Sequence, residues 1–183
     1  MSTSSPGLIQ CFTGNGKGKT SASYGTMLRA LSKGWRVAIV WFDKGGTHYS
    51  ERDIFRSRFS DLVDLFPTGL DRIDPVTNQF RFSVLPEDRA EAERGLGVVR
   101  NLFAKNEHRL VILDEINSTV ALGMLDEALV LDLLRSKPEE MELIITGRNA
   151  TPGIMEIADL VTEMKNIKHY LENGVEARDG LDF

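Results

Sequence analysis

The segment Thr13-Gly14-Asn15-Gly16-Lys17-Gly18-Lys19-Thr20 follows directly on the apolar run Leu8-Ile9-Gln10-Cys11-Phe12 and constrains this chain more than any other. A strand that turns through a glycine-rich loop into a helix is the layout of a phosphate-binding P-loop. Glycines let the backbone fold back so that several N–H groups point at one anion, and the helix adds its positive end to the same spot. Gly14, Asn15, Gly16, Lys17 and Gly18 are expected to form the cradle. Lys19 is expected to reach the terminal phosphates, and the Thr20 hydroxyl to hold a magnesium ion. The usual pattern starts with glycine, whereas Thr13 stands there in this chain. The alternative, a Gly/Lys-rich surface turn, is disfavoured by the strand before it and the helix after it.

The rest of the chain alternates strands with helices. Tyr24, Met27, Leu28 and Leu31 fall on one helical face, closed by Lys33-Gly34. Trp35 to Phe42 reads as a buried strand, Glu51 to Phe59 as a short helix and Leu62 to Phe66 as a short strand. Pro67 to Gln79 reads as a long loop. Ala92, Leu96, Val99 and Phe103 mark an amphipathic helix from Pro86 to about Asn106, weakened locally by Gly95 and Gly97. Arg109 to Leu113 and Glu142 to Thr146 are further buried strands, with a helical region from Met124 to Arg135 between them. Thr151-Pro152 reads as an N-cap with proline in the first turn, Leu160 to Met164 as a last strand, and the tail as a short helix and turn. This pattern predicts a three-layer α/β fold of P-loop NTPase type around a mostly parallel sheet. Ligands in such sheets bind beyond the carboxyl ends of the strands, where the loops after Phe12, Leu113 and Thr146 all fall.

At 183 residues the chain is expected to form one domain over residues 8–183, preceded by a disordered lead of residues 1–7. A net charge of −5 argues against a nucleic-acid clamp, and Lys17 and Lys19 point instead to a local anion site. No apolar run is long enough to cross a membrane. The first residues lack the charged and apolar parts of a signal peptide, and the single Cys11 is expected to be a buried, inert thiol. Both fit a cytoplasmic setting.

Leu110-Val111-Ile112-Leu113-Asp114-Glu115 completes the nucleotide argument. A buried strand carries Asp114 to its end, where it can help hold the magnesium of bound MgATP or MgGTP. Glu115 could position water, accept a proton or shape the surroundings of the metal. Lys44, in Phe42-Asp43-Lys44-Gly45-Gly46, could meet a phosphate or a second substrate, and a solvated turn lysine is the other reading. Arg148, just past a buried strand, suits phosphate geometrically. His48, His108 and His169 do not cluster at ligand spacing, which disfavours a zinc-type centre. Trp35 and Trp41 lie within a strand pattern and read as core.

The order of four motifs, GNGKGKT at Gly14–Thr20, Phe42-x-Lys44-Gly45, Leu113-Asp114-Glu115 and Ile145-Thr146-Gly147-Arg148-Asn149, resembles the P-loop type of ATP:corrinoid adenosyltransferase. Thr162-Glu163-Met164, Lys168-His169, Gly174-Val175-x-Ala177 and Gly180-Leu181-Asp182-Phe183 resemble that family's C-terminal segment. The resemblance implies a RecA-like fold, ATP and Mg²⁺ as co-substrate and ion, a corrinoid substrate, a homodimer and a reducing partner such as a flavoprotein. The implied reaction transfers the 5′-deoxyadenosyl group to cobalt(I), with Lys17, Lys19 and Arg148 neutralising the leaving triphosphate. Three stretches depart from the family pattern. Leu70 and Arg72 stand where an aromatic pair is usual, Ser50 stands before Glu51 in place of glycine, and Lys165-Asn166 replaces Arg-Pro. Two other classes compete with this reading: a P-loop ATPase or phosphotransferase of another substrate, and a non-catalytic, ATP-dependent corrinoid-binding protein.

Overall fold

The structure is a computed structural model that describes residues 5–46, 49–72, 81 and 83–182. Six five- or four-residue strands are β1 Ile9–Thr13, β2 Val37–Trp41, β3 Val63–Pro67, β4 Leu110–Asp114, β5 Glu142–Thr146 and β6 Leu160–Glu163. They form one sheet in the order β3-β2-β4-β5-β1-β6, and every pairing is parallel. All carboxyl ends therefore share one edge.

Parallel strands need crossover helices, which cover both faces and require each strand to be apolar throughout. The side chains alternate accordingly. Cys11, Ala38, Val40, Val111, Leu113, Leu143 and Ile145 face a layer that includes Ala92, Leu96, Val99 and Phe103 of α3 (Pro86–Lys105) and Val130, Leu133 and Leu134 of α5 (Glu127–Arg135). Phe12, Ile39, Trp41, Ile112 and Ile144 face the other layer, with Met27, Ala30 and Leu31 of α1 (Lys19–Leu31) and Phe55 of α2 (Glu51–Arg58). Complete burial of each such side chain is worth about 1.5–3 kcal/mol. The three-layer α/β expectation is met.

Several boundaries differ from the sequence reading. Leu28 is 51% exposed; the buried face of α1 runs through Lys19, Ser23, Met27, Ala30 and Leu31. The strand expected from Trp35 begins at Val37, and Trp35 packs at the edge of the core with Arg109 over its ring. The helical region expected from Met124 starts only at Glu127, and the short helix before it was not expected. A short α4 (Ile116–Ala121) follows β4 directly, Gly123 breaks the chain at a φ of 67°, and Asp126 caps α5 through the Ala128 N–H at 2.7 Å. Met124 and Leu125 are buried in the connection, so their apolar character does not distinguish loop from helix. Gly95, read as a weak point of α3, is a close-approach site: a Cβ there would lie 2.7 Å from the Phe42 ring. Thr151 caps α6 (Pro152–Ile157) as expected, accepting from the Ile154 N–H at 3.2 Å.

Residues 1–4 of the expected lead lie outside the described residues. Gly7 is already fixed, its N–H donating to Glu139 O at 2.8 Å. Of the expected Pro67–Gln79 loop, residues 73–79 lie outside the described residues, as does His48. Among the described residues no helix is long and apolar enough to cross a membrane.

Candidate active site

The loop after β1 is held from below by the end of β6. Met164 N donates to Thr13 O at 2.8 Å and Gly16 N to Met164 O at 2.7 Å, while Asn166 N donates to the Asn15 side chain at 2.9 Å. Gly14 sits at a φ of 97°, and a Cβ there would stand 2.4 Å from Met164 O. Only glycine allows that approach. Thr13, which departs from the usual glycine, is buried, and its hydroxyl oxygen accepts from Ala150 N at 3.0 Å, tying this loop to the one after β5. Lys19 opens α1 with its ammonium on Gly16 O at 2.7 Å. Burial pulls its pKa below the ordinary lysine value, opposed by Glu115 and reinforced by Arg148 and Lys44.

Asp114 is the fully buried centre of the site. Its Oδ1 accepts from the Thr20 hydroxyl at 2.9 Å and the Thr146 hydroxyl at 2.6 Å, and its Oδ2 accepts from Lys44 Nζ at 2.6 Å. Thr146 Oγ1 in turn accepts the Glu115 N–H at 3.0 Å, which binds the ends of β4 and β5 together. Glu115 lies in the left-handed region at a φ of 65°, an uncommon conformation for a side chain of its kind, and aims its carboxylate toward Lys44 at 3.5 Å. Carboxylate and hydroxyl oxygens are the donors a hard divalent cation takes. Among the described residues no group of three or more His, Cys, Asp or Glu is placed to hold a metal.

Lys44 extends from a loop clamped by two arginines. Arg52 donates to Lys44 O and to Gly46 O, and stacks over the Trp41 ring at 4.6 Å. Arg72 is buried and pairs with Asp43 at 2.7 Å, while its other nitrogens donate to Arg81 O and Ser83 O. The arginine that stands in an aromatic place is thus turned into the fold as a tie between loops. Burial lowers the Lys44 ammonium's affinity for its proton, but Asp114 and Glu115 outweigh this and hold its pKa above the usual lysine range. Of the two readings of Lys44, the solvated turn is excluded.

A cavity of about 720 Å³ opens over these groups, lined by residues 15–21, Lys44, Glu115, Arg148, Tyr24 and Glu51 on one side and by the tail at 169–171 and 180–182 on the other. Cavities of this size accommodate a nucleotide. Lys17 reaches across to the tail, donating to Leu181 O at 2.6 Å and forming an ion pair with Asp182. Tyr170 donates to the same Asp182 carboxylate, and these contacts with Lys17 and Tyr170 hold the Asp182 pKa well below the usual carboxylate range. On the α2 side, Trp41 Nε1 donates to the Tyr24 hydroxyl oxygen at 2.9 Å, and the Tyr24 hydroxyl donates to Glu51 at 3.2 Å.

Every residue expected at the site from the sequence is thus brought to one edge: Gly14 to Thr20, Lys44, Asp114, Glu115 and Arg148. His169 lines the cavity, and His108 pairs with Asp64 at 2.7 Å near the amino ends of β3 and β4. Sequence reasoning missed Thr146, Tyr24, Glu51, Tyr170 and Asp182. Thr146 had a signal, a hydroxyl ending a buried strand beside the one that carries Asp114. The others depend on long-range folding.

Residues 5–183 match the family described as ATP:corrinoid adenosyltransferase BtuR/CobO/CobP. The chain is 36% identical over 177 residues to a corrinoid adenosyltransferase of Pseudomonas aeruginosa, covering 97% of this chain and 84% of that one. It is 34% identical over 182 residues to a corrinoid adenosyltransferase of Sinorhizobium sp, covering 99% and 82%. A corrinoid adenosyltransferase of Escherichia coli is 34% identical over 177 residues, covering 97% and 86%. With the loop, the Asp114 centre and the cavity all in one place, these matches fix the assignment: the chain belongs to the ATP:corrinoid adenosyltransferase family.

Proposed function

We propose that the Thr13–Thr20 loop, Lys44, Asp114, Glu115 and Arg148 form the ATP site at which this chain carries out its family's reaction, adenosyl transfer to a corrinoid. The observation that carries the residue assignment is the convergence of Lys19, Thr20 and the buried Asp114 on one nucleotide-sized cavity. In the transfer, cobalt(I) attacks C5′ of ATP, a Co–C bond forms, and the C5′–O bond breaks with its electron pair leaving on the triphosphate. No proton has to move, so the site needs no general base. It needs instead to orient C5′ in line with the cobalt and to hold the negative charge of the leaving group.

Lys19, Lys17, Arg148 and the loop amides are the groups we assign to that charge. Lys17 serves it by exchanging the Asp182 carboxylate for a phosphate oxygen. Thr20 and Asp114 would hold Mg²⁺, which neutralises phosphate charge when bound. Glu115 and Thr146 keep Asp114 in position. A homodimer and a reductant that delivers cobalt(I) belong to this reading on the strength of the resemblance.

The test is anaerobic incubation with MgATP and pre-reduced cob(I)alamin, following the corrinoid spectrum and the phosphate product together. Adenosylcobalamin with free triphosphate is the expected result. Release of ADP would assign a phosphotransferase instead. Unchanged cob(I)alamin with ATP bound would leave a binding protein.

A further inference from the structure

We infer that Lys44 is a built-in cation that holds the divalent-metal position between Asp114 and Thr20 while no nucleotide is bound, and that MgATP must move it. This rests on the reading that Thr20 and Asp114 hold the metal. The Lys44 ammonium lies 2.6 Å from Asp114 Oδ2, 3.2 Å from Thr20 Oγ1 and 3.5 Å from Glu115 Oε1. These are the oxygens a hard cation would take, and the ammonium meets all three.

The reason for such a residue is electrostatic. Asp114 is fully buried, and its charge there demands a partner. Two hydroxyls solvate Oδ1, and Lys44 supplies the opposite charge at Oδ2. A metal ion and an ammonium cannot share those few ångströms without strong repulsion. One of them has to leave.

The surroundings specify which part of Lys44 can move. Its carbonyl is held by Arg52, and the preceding Asp43 by Arg72. The backbone is pinned, so the exchange falls to the four-carbon stem. A bare metal ion offers the displaced ammonium no new anion. MgATP does, because its phosphates enter beside Lys19 and Arg148. Metal binding is therefore conditional on nucleotide in the native protein, and by linkage the condition is reciprocal.

The experiment measures Mn²⁺ binding by the loss of its free-ion EPR signal, in the native protein and in Lys44→Gln, each with and without ATP. Without ATP, Lys44→Gln should bind Mn²⁺ at least about tenfold more tightly than the native protein, within the usual range of coupling between two ligands. Equal Mn²⁺ affinity of the two proteins without ATP, with ATP-dependent Mn²⁺ binding intact in the native protein, overturns the role of Lys44 alone. Absence of Mn²⁺ binding from the native protein even with ATP overturns the metal assignment beneath it. If Lys44→Gln is destabilised, thermal unfolding reads the same exchange. Mn²⁺ should then raise the Tm of the variant without raising that of the native protein, and no rise in the variant overturns the inference.

Discussion

Lys17 of the phosphate loop and Asp182 of the tail, 165 residues apart in sequence, form an ion pair across the mouth of the cavity. The tail thereby presents a carboxylate where the proposed substrate presents phosphate. Asp182→Asn keeps the shape and removes the competing charge. Tripolyphosphate should bind about two- to fivefold more tightly at low salt, and the gain should shrink as salt rises. Isothermal titration at two ionic strengths checks this, and equal or weaker binding by the variant would contradict it.

Lys19 gives the sharpest separation of binding from folding. Lys19→Ala removes a desolvated cation whose ammonium donates to Gly16 O within its own loop, so the fold should survive. Triphosphate affinity should fall about 100-fold or more, the loss of a charge-assisted contact worth about 3 kcal/mol. Circular dichroism and titration together decide it, and retained ATP affinity would remove the P-loop from the mechanism.

The pH dependence follows from the same residue. Because burial lowers the Lys19 pKa, the ammonium loses its proton at a lower pH than an ordinary lysine. Phosphate binding needs the charged form, so affinity should be full on the acid side of that pKa and decline as pH rises through it. The decline should start below about pH 10, the ordinary lysine value. Lys44 cannot be its source, since its pKa is shifted the other way. Folding has the matching sign: a lysine depressed in the native state costs stability while protonated, and that cost is relieved as pH rises through the depressed pKa. Titration of ATP binding from neutral to alkaline pH, with Lys19→Arg as control, checks this. A decline of the same size in the control would assign it elsewhere.

Thr146→Val removes one hydroxyl with two duties. The substitution deprives the buried Asp114 carboxylate of the bond that the hydroxyl donates, and leaves the Glu115 N–H without its acceptor. A cost of about 2–3 kcal/mol in denaturant unfolding is expected. Thr146→Ser should recover most of it, and a loss that serine does not restore would point to packing of the methyl group.

Arg72→Ala strands the Asp43 carboxylate, which burial already pushes to a raised pKa against the pull of Arg72. Breaking one side of such a pair costs about 3–5 kcal/mol. Adding Asp43→Asn should return part of the loss, and a double-mutant cycle measures the coupling. Strict additivity would show that the pair is not what holds the loops together.

Periodicity carried the sheet. Runs such as Val37–Trp41 and Leu110–Leu113 are apolar on both faces because helices cover both, as in parallel sheets generally. The phosphate loop and Asp114 were legible because each combines a local pattern with a predictable place at a strand end. The start of α5 at Glu127 was not, since Met124 and Leu125 are buried in the connection before it and mimic helix. Lys44 on Asp114 and Asp182 on Lys17 were invisible for a different reason. The first pair is joined by the adjacency of β2 and β4, the second by the return of the tail over the loop, and no local spacing encodes either.

Cys11, the sole thiol of the chain, lies with no exposed surface in β1, between β5 and β6. Burial raises its pKa, so it is poorly reactive as well as inaccessible. A thiol reagent can reach it only when β1 parts from its neighbours, the same event that dismantles the phosphate loop two residues further on. Modification of the sulfur is thus a native stopwatch for the parting of β1 from β5 and β6, and with it for the opening of the loop that β1 carries.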